Sequence, residues 1–478
     1  MKRILALLLS ATLATSSIAA DLPDLGDVAA SSLSPMAERR IGEQIMSDIR
    51  WRDASYLDDA EIEDYVQRLG MRLVAAGPEP EREFEFFVMR DSTLNAFALP
   101  GGFIGLHSGL IMAAESESEL ASVLGHEIAH VTQRHIAQLF GKQGQASMMV
   151  LASILLAVLA ARSNSQVSEA ALAAGQAGAI QQQLGYTRAF EREADRIGLQ
   201  VMEGAGFDVR GMPSFFERMQ RHSRVYENNA PAYLRTHPLT QERIADMGNR
   251  VAQMRYRQVL DSPDFAFVRA KLRAGEGLAS DAVRDFEASL RTAADDPSLR
   301  YGHARALLRA GRLDDAAEAV ARLRAGAAEG ELSLFVETLA GEIQLARNRP
   351  AEAVALLEAA KQRFPDRRPL DYLLIEARLR AGQHAQAASD ARAGALRAQR
   401  DARYWALAAR AEEALGRRTA HHRAQAEVYV LRGSLPAAID QLELARRAAD
   451  GDFYELSAVD ARLRELKLEE AERRAERR

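Results

Sequence analysis

The stretch that decides how this chain is read is Ser116-Glu117-Ser118-Glu119-Leu120-Ala121-Ser122-Val123-Leu124-Gly125-His126-Glu127-Ile128-Ala129-His130-Val131. Ser116 followed three residues later by Glu119 is a capping box, which satisfies the free N–H groups at a helix start. Leu120, Val123, Leu124, Ile128 and Val131 recur at helical spacing, so the stretch predicts a helix. Residues four apart stand on one helix face, so the imidazoles of His126 and His130 project together and can take hold of one metal ion. Glu127 sits beside them, where a carboxylate can take a proton from activated water. This is the H-E-x-x-H arrangement, in which the histidines bind zinc and the glutamate is the general base of a metallopeptidase. Five residues also match by chance, and the competing reading is a helix with two surface histidines.

A catalytic zinc takes three protein ligands and keeps one position for water. The third is sought in Thr187-Arg188-Ala189-Phe190-Glu191-Arg192-Glu193-Ala194-Asp195, which opens a helical stretch running to Glu203 and stopped by Gly204-Ala205-Gly206. Glu191 and Asp195 are four apart, so one face carries both carboxylates. Glu191 is the candidate ligand. Asp195, one turn on, can accept the far N–H of a ligand histidine and fix its tautomer. By itself, with Arg188 and Arg192 alongside, the spacing equally describes a solvated, salt-bridged helix.

H-E-I-A-H at 126–130 followed by T-R-x-x-E-x-x-A-D at 187–195 resembles the two-part signature of the zinc metallopeptidases that include the HtpX-type and CaaX-prenyl proteases. The run from Asn95 to His107 also looks like theirs. The resemblance implies a zincin-like endopeptidase with one Zn2+ per chain, His126, His130 and Glu191 as ligands, and Glu127 as the catalytic base. The family often has Ser where Thr187 stands, a change that leaves the ligand set alone. Arg235-Thr236-His237-Pro238-Leu239-Thr240 matches a His-Pro loop whose histidine, in exported relatives, fills the open zinc position; it makes His237 a regulatory fourth ligand. From the residues themselves, proline holds His237 extended at a helix start, placed to point into a cleft; a plain loop histidine is the alternative. Arg243, in the following helix, either supports the oxyanion of the intermediate or makes a salt bridge.

Before the zinc helix, Met36 to Ile49 and Asp59 to Ala76 read as helices, and Phe84, Phe86 and Val88 as a half-buried strand. Two short strands follow, joined at Pro100-Gly101-Gly102. The first, Asn95, Ala96, Phe97, Ala98 and Leu99, offers an edge to which an extended substrate can add by backbone pairing. Residues 141–184, rich in Ala, Gln and Gly around an apolar run from Met148 to Ala161, read as an insertion that is either a mobile cover over the cleft or an ordinary core helix with a loop. The run is short for a membrane span. His135, five past His130, is expected to point away from the ligand face. His107, at a strand end near the site, has no evident ligand partner. His222, His303, His384, His421 and His422 have no metal-like spacing and read as surface residues.

From about Ser262 the texture becomes Ala, Leu, Arg and Glu with helical period. Turns at Gly275, Gly311, Asn348, Gly382 and Gly416 recur at steps of 36, 37, 34 and 34 residues, the period of tetratricopeptide helix pairs. Gly433 falls 17 after Gly416, so the array tightens there, and Glu465 to Arg478 reads as a charged helix prone to fraying. Such arrays stack into a solenoid with a concave peptide-holding face; a bare helical spacer is the alternative.

The bulk numbers frame this. At 478 residues the chain exceeds one core. A net charge of −5 without a dense basic patch argues against nucleic acid as a partner. Residues 1–20, with Lys2, Arg3, a short apolar core and a small-residue exit, read as a cleavable signal peptide. Together with the absence of cysteine this fits the periplasm, with at most peripheral membrane contact. The expected fold is α+β: a mainly helical zincin-like metallopeptidase domain with a small sheet at 21–261, then an all-α tetratricopeptide solenoid at 262–478. For such an exported, repeat-bearing member the resemblance implies misfolded or stalled outer-membrane proteins as substrates and the outer-membrane barrel-assembly machinery as partner of the repeats. The competing function is an assembly adaptor or chaperone acting mainly through the solenoid, with minor proteolysis.

Overall fold

The computed structural model describes residues 33–141, 188–225, 232–326, 333–448 and 450–476. The expected signal peptide, the arm up to residue 32, residues 142–184 of the insertion and Thr187 lie outside them, as does the side chain of His222.

Helix α1 (Pro35–Arg52) starts on Ser34, whose hydroxyl accepts from the Ala37 N–H, with proline in its first turn. Helix α2 (Ala60–Ala75) starts on Asp59, whose carboxylate accepts from the N–H groups of Glu61 and Ile62. Three strands follow, β1 (Glu85–Met89), β2 (Ala96–Leu99) and β3 (Phe103–His107), in the order β1-β3-β2. β3 pairs parallel with β1, Phe86 opposite Ile104, and antiparallel with β2, Phe97 opposite Gly105. Gly101 and Gly102 make the β2–β3 turn with φ of 79° and 90°, which side chains with a Cβ rarely tolerate. β2 is therefore an edge strand among the described residues. The alternation around Phe84 suggested a strand wet on one face, but β1 is buried on both. Ile45, Met46 and Ile49 of α1 cover Phe87 and Met89, while Phe86 and Val88 face the main core.

Helix α3 (Ser108–Ala113) leads to α4 (Glu117–Thr132), which is buried along its whole length. Ser116 caps it, its hydroxyl accepting from the Glu119 N–H, and the Glu119 carboxylate accepts from the Glu115 N–H. α4 ends where Arg134 adopts φ 52°, and α5 (His135–Gly141) restarts the chain in a new direction. Then come α6 (Arg188–Gly204), α7 (Gly211–Val225), the short α8 (Ala232–Thr236) and α9 (Gln241–Gln253), the last capped by Thr240.

From α10 (Pro263–Gly275) onward the chain is paired helices: α11 (Ala279–Thr292), α12 (Pro297–Arg309), α13 (Leu313–Gly326), α14 (Leu334–Ala346), α15 (Pro350–Arg363), α16 (Arg368–Arg380), α17 (His384–Arg397), α18 (Ala402–Ala414), α19 (Arg418–Leu431), α20 (Leu435–Arg447) and α21 (Phe453–Glu476). Gly277, Gly311, Asn348, Gly382 and Gly416 hold the left-handed turns inside the pairs, so the first turn residue is Gly277 rather than Gly275, which ends α10. Gly433 adds a left-handed turn between α19 and α20, as the tightened spacing suggested. The charged C-terminal run is helical as expected and continues α21, whose Val459, Leu463 and Leu466 sit in a local core. His303, His384, His421 and His422 are half-buried rather than surface-exposed, and the ring of His421 reaches the Ala409 carbonyl.

One apolar core runs from Leu57 through the sheet and α4 to Ile343 of α14, crossing the expected boundary at residue 261 without a break. The solenoid also grips α2 by charge. Lys271 of α10 pairs with Asp59 and Glu61, Arg367 with Asp64 at 2.8 Å, and Arg403 of α18 with Glu63 at 2.7 Å. Thr338 of α14 donates to Glu61. Residues of α10, α14 and α18, with Arg367 just before α16, thus hold the N-terminal half of α2 against the solenoid.

Candidate metal and catalytic site

α4 and α6 cross at Gly125 and Gly198, where a Cβ on Gly125 would stand 3.2 Å from the Gly198 carbonyl oxygen. A Cβ at either glycine would be tighter than ordinary contact, so bare backbone favours this approach, which places Glu191 and Asp195 of α6 against the two imidazoles of α4. His126 Nε2 lies 3.0 Å from His130 Nε2. Glu191 stands 3.5 Å from each, through Oε2 to His126 and Oε1 to His130. His237, in the loop after α8, adds Nδ1 at 3.4 Å from His126 Nε2 and 3.1 Å from Glu191 Oε1. The donor atoms of His126, His130, Glu191 and His237 all lie within 4.8 Å of one another, and all four residues are buried. Donors about 2.0–2.1 Å from a tetrahedral ion stand about 3.3 Å apart. Three imidazoles and one carboxylate at these separations therefore fit a single divalent cation.

The packing around these groups fixes their orientation. Asp195 Oδ1 lies 3.0 Å from His126 Nδ1, the nitrogen turned away from the cluster. The Arg243 guanidinium donates to both oxygens of Asp195 at 2.7 Å, to the Pro238 carbonyl at 2.8 Å, and pairs with Glu191 Oε2 at 2.7 Å. Of its two expected roles, the contacts describe the salt bridge: its donors tie α6 to the His-Pro loop. His107 is engaged elsewhere, its ring meeting Thr93 Oγ1 at 2.8 Å and Asn95 Nδ2 at 3.3 Å.

Burial acts on every charge here. It pushes the Glu127 carboxyl above the usual carboxylate range, only partly offset by His237 and His126. Burial works the same way on Glu191, but the nearby charge of His237 and the hydrogen bond from His126 outweigh it and hold Glu191 well below the usual carboxylate range. Asp195 is likewise lowered, against burial, by its bonds to Arg243 and His126. For His126 burial favours the neutral ring, yet Asp195 and Glu191 prevail and hold it at about 9. Burial and the charge of His126 push His130 well down.

Neither oxygen of Glu127 has a hydrogen-bond partner among the described residues, and His237 Nε2 is 3.5 Å from Oε1. The α8 helix that leads into the His237 loop carries Tyr233, which the sequence did not single out. Its ring stacks on His237 with centroids 4.6 Å apart, its buried hydroxyl has no hydrogen-bond partner among the described residues, and its N–H donates to the Leu94 carbonyl at 3.1 Å. Leu94 immediately precedes β2. Of the expected edge residues, Asn95, Ala96, Ala98 and Leu99 are buried and Phe97 is half-buried. His135 does not point away: the chain reversal at Arg134 turns its ring onto His130, with Nδ1 2.9 Å from His130 Nδ1. A continuous helix, assumed when counting five residues on, hid this contact.

The chain belongs to peptidase family M48, whose sequence model matches residues 60–251. It is thus a metallopeptidase. It is 34% identical over 452 residues to the beta-barrel assembly-enhancing protease of Escherichia coli (strain K12), covering 93% of this chain and 91% of that one. It is also 40% identical over 288 residues to a putative beta-barrel assembly-enhancing protease of Vibrio cholerae, covering 59% of each. The mitochondrial metalloendopeptidase OMA1 of Schizosaccharomyces pombe is 34% identical over 180 residues, 38% of this chain and 50% of its own. Among solved structures, a thermophilic TPR protein of Thermus thermophilus covers 42% of this chain and 97% of its own at 20% identity, with a TM-score of 0.25. No helix among the described residues is long and apolar enough to cross a membrane.

Proposed function

We propose that the protein is a periplasmic zinc endopeptidase that acts on misfolded or stalled outer-membrane β-barrel proteins, with 21–261 as the peptidase unit and 262–478 as a tetratricopeptide solenoid facing the barrel-assembly machinery. The observation that carries the metal reading is the convergence of His126, His130, Glu191 and His237, whose donor atoms all lie within 4.8 Å of one another. His126, His130 and Glu191 hold the zinc, and His237 is the displaceable fourth ligand. When bound, the ion supplies Lewis-acid polarisation of the scissile carbonyl and a lowered pKa for water. Glu127 takes the proton from the attacking water and passes it to the leaving amine. Asp195 keeps His126 in the tautomer that presents Nε2, and Arg243 keeps Asp195 and Glu191 in place.

The edge of β2, Asn95 to Leu99, holds the substrate extended. Because the Tyr233 N–H donates to the Leu94 carbonyl, a peptide pairing along this edge competes with the helix that leads into the His237 loop. The relatives named beta-barrel assembly-enhancing proteases supply the client class. The test is metal content together with casein-type proteolysis, with and without a chelator, on the signal-free protein and on Glu127→Gln. Stoichiometric zinc in both proteins, with cleavage only in the first, is the expected result. Cleavage that persists in Glu127→Gln removes the general-base assignment, and cleavage unaffected by metal removal removes the zinc reading.

A further inference from the structure

The structure assigns His135 and Glu193 as positioning residues for the metal ligand His130, in a chain of hydrogen bonds that runs from the proposed metal outward to solvent. This rests on the zinc reading above and adds to it two residues outside the ligand set. His135 is fully buried, and its Nδ1 stands 2.9 Å from His130 Nδ1. Its Nε2 stands 3.3 Å from Glu193 Oε2, and its ring stacks on Phe190 with centroids 4.3 Å apart. Glu193 is half-exposed and also faces Arg196 at 3.7 Å, so its charged end reaches water.

Only one arrangement of protons satisfies every nitrogen. If His130 presents Nε2 to the metal, its proton sits on Nδ1 and must be donated outward. The group it meets is His135 Nδ1, which therefore accepts and carries no proton. The His135 proton is then on Nε2, aimed at the Glu193 carboxylate, which accepts. Metal, His130, His135 and Glu193 thus form a relay without a conflict. The site is built alike on both sides: His126 is backed directly by Asp195 at 3.0 Å, and His130 by a carboxylate acting through one intervening imidazole.

Two local features make this contact. Arg134 at φ 52° ends α4 and folds His135 back over the last turn, which a continuous helix could not do. Phe190 and Glu193 lie on the first turns of α6, on either side of Glu191, so the helix that supplies the third ligand also clamps the ring behind the second. Anchoring of this kind is commonly worth 10- to 100-fold in metal affinity when removed.

The experiment is zinc affinity by chelator competition on the full signal-free protein, with Co2+ substituted in parallel for its visible absorption bands. His135→Phe keeps the stack on Phe190 but accepts no hydrogen bond; zinc affinity falls about 10- to 100-fold and the Co2+ bands shift. His135→Gln, able to accept from His130 and donate to Glu193, recovers most of the affinity. Glu193→Gln, at a half-exposed position that does not threaten folding, gives a smaller loss in the same direction. Unchanged affinity and unchanged Co2+ bands in both His135→Phe and Glu193→Gln overturn the relay while leaving the zinc site standing. Absence of metal binding in the unsubstituted protein overturns the zinc reading and the relay with it. Should His135→Phe fail to fold, Glu193→Gln and His135→Gln decide the matter.

Discussion

Gly125 and Gly198 meet backbone to backbone where the helices carrying His126, His130 and Glu191 cross, with a Cβ on Gly198 falling 3.2 Å from both the Gly125 carbonyl carbon and the His126 nitrogen. The distance between the paired imidazoles and Glu191 is set here. Gly198→Ala gains up to about 1 kcal/mol in helix propensity but overpacks the crossing at a cost of about 1–3 kcal/mol. We expect a net fall in melting temperature and weaker zinc binding by chelator competition. Wild-type affinity in Gly198→Ala refutes the claim that the crossing sets the site.

His237→Ala removes the fourth donor. If the closed loop leaves the open state about 10% populated, freeing the site raises proteolysis of an unfolded substrate about tenfold. The rate at which an added chelator strips the metal rises as well. Unaltered rates of both kinds reduce His237 to a loop residue.

Arg243→Met leaves Asp195 and Glu191 buried without their cation. Breaking a buried pair from one side costs about 3–5 kcal/mol. Denaturant unfolding of the metal-free protein is the measurement, because a bound cation offsets part of the loss. Adding Asp195→Asn to Arg243→Met should restore part of the stability, and the double-mutant cycle isolates the pair.

The pH dependence of the metal-free protein follows from the direction of each shift. Glu191 and Asp195 are held low, so their contribution is present above about pH 4 and is lost as pH falls through their folded values. His126 is held at about 9, so its contribution is full below about pH 6.5 and is lost as pH rises through 9. His130 is held low, so below about pH 6.5 the unfolded chain takes up a proton that the folded chain refuses. Of these groups, Glu191, Asp195 and His130 lose stability for the fold as pH falls, and His126 as pH rises. Metal must displace the His126 proton, so zinc affinity rises between about pH 6.5 and 9. A flat affinity profile across that window contradicts the charge assigned to His126.

Much of the site was legible because a helix converts spacing into direction. His126 with His130, and Glu191 with Asp195, could be paired from their four-residue intervals alone. Tyr233 was not legible, since its part depends on α8 stacking it over His237, a contact between a short helix and a loop. His135 was misplaced for a related reason: the left-handed turn at Arg134 leaves no mark in the local sequence, because arginine rarely adopts it. The solenoid was legible from its turn residues, whereas its grip on α2 was not, because complementary charges such as Arg403 and Glu63 carry no record of which partner they meet.

By itself the sequence determined the helix-borne donor pairs, the repeat period and the family, all of them local or periodic properties in which hydrogen bonding along the chain sets geometry. The tertiary structure decided that α4 is buried end to end, that glycine meets glycine at its crossing with α6, and that Tyr233 and His135 close around the donors. Those are products of long-range packing, and packing depends on which surfaces exclude water together rather than on any interval along the chain.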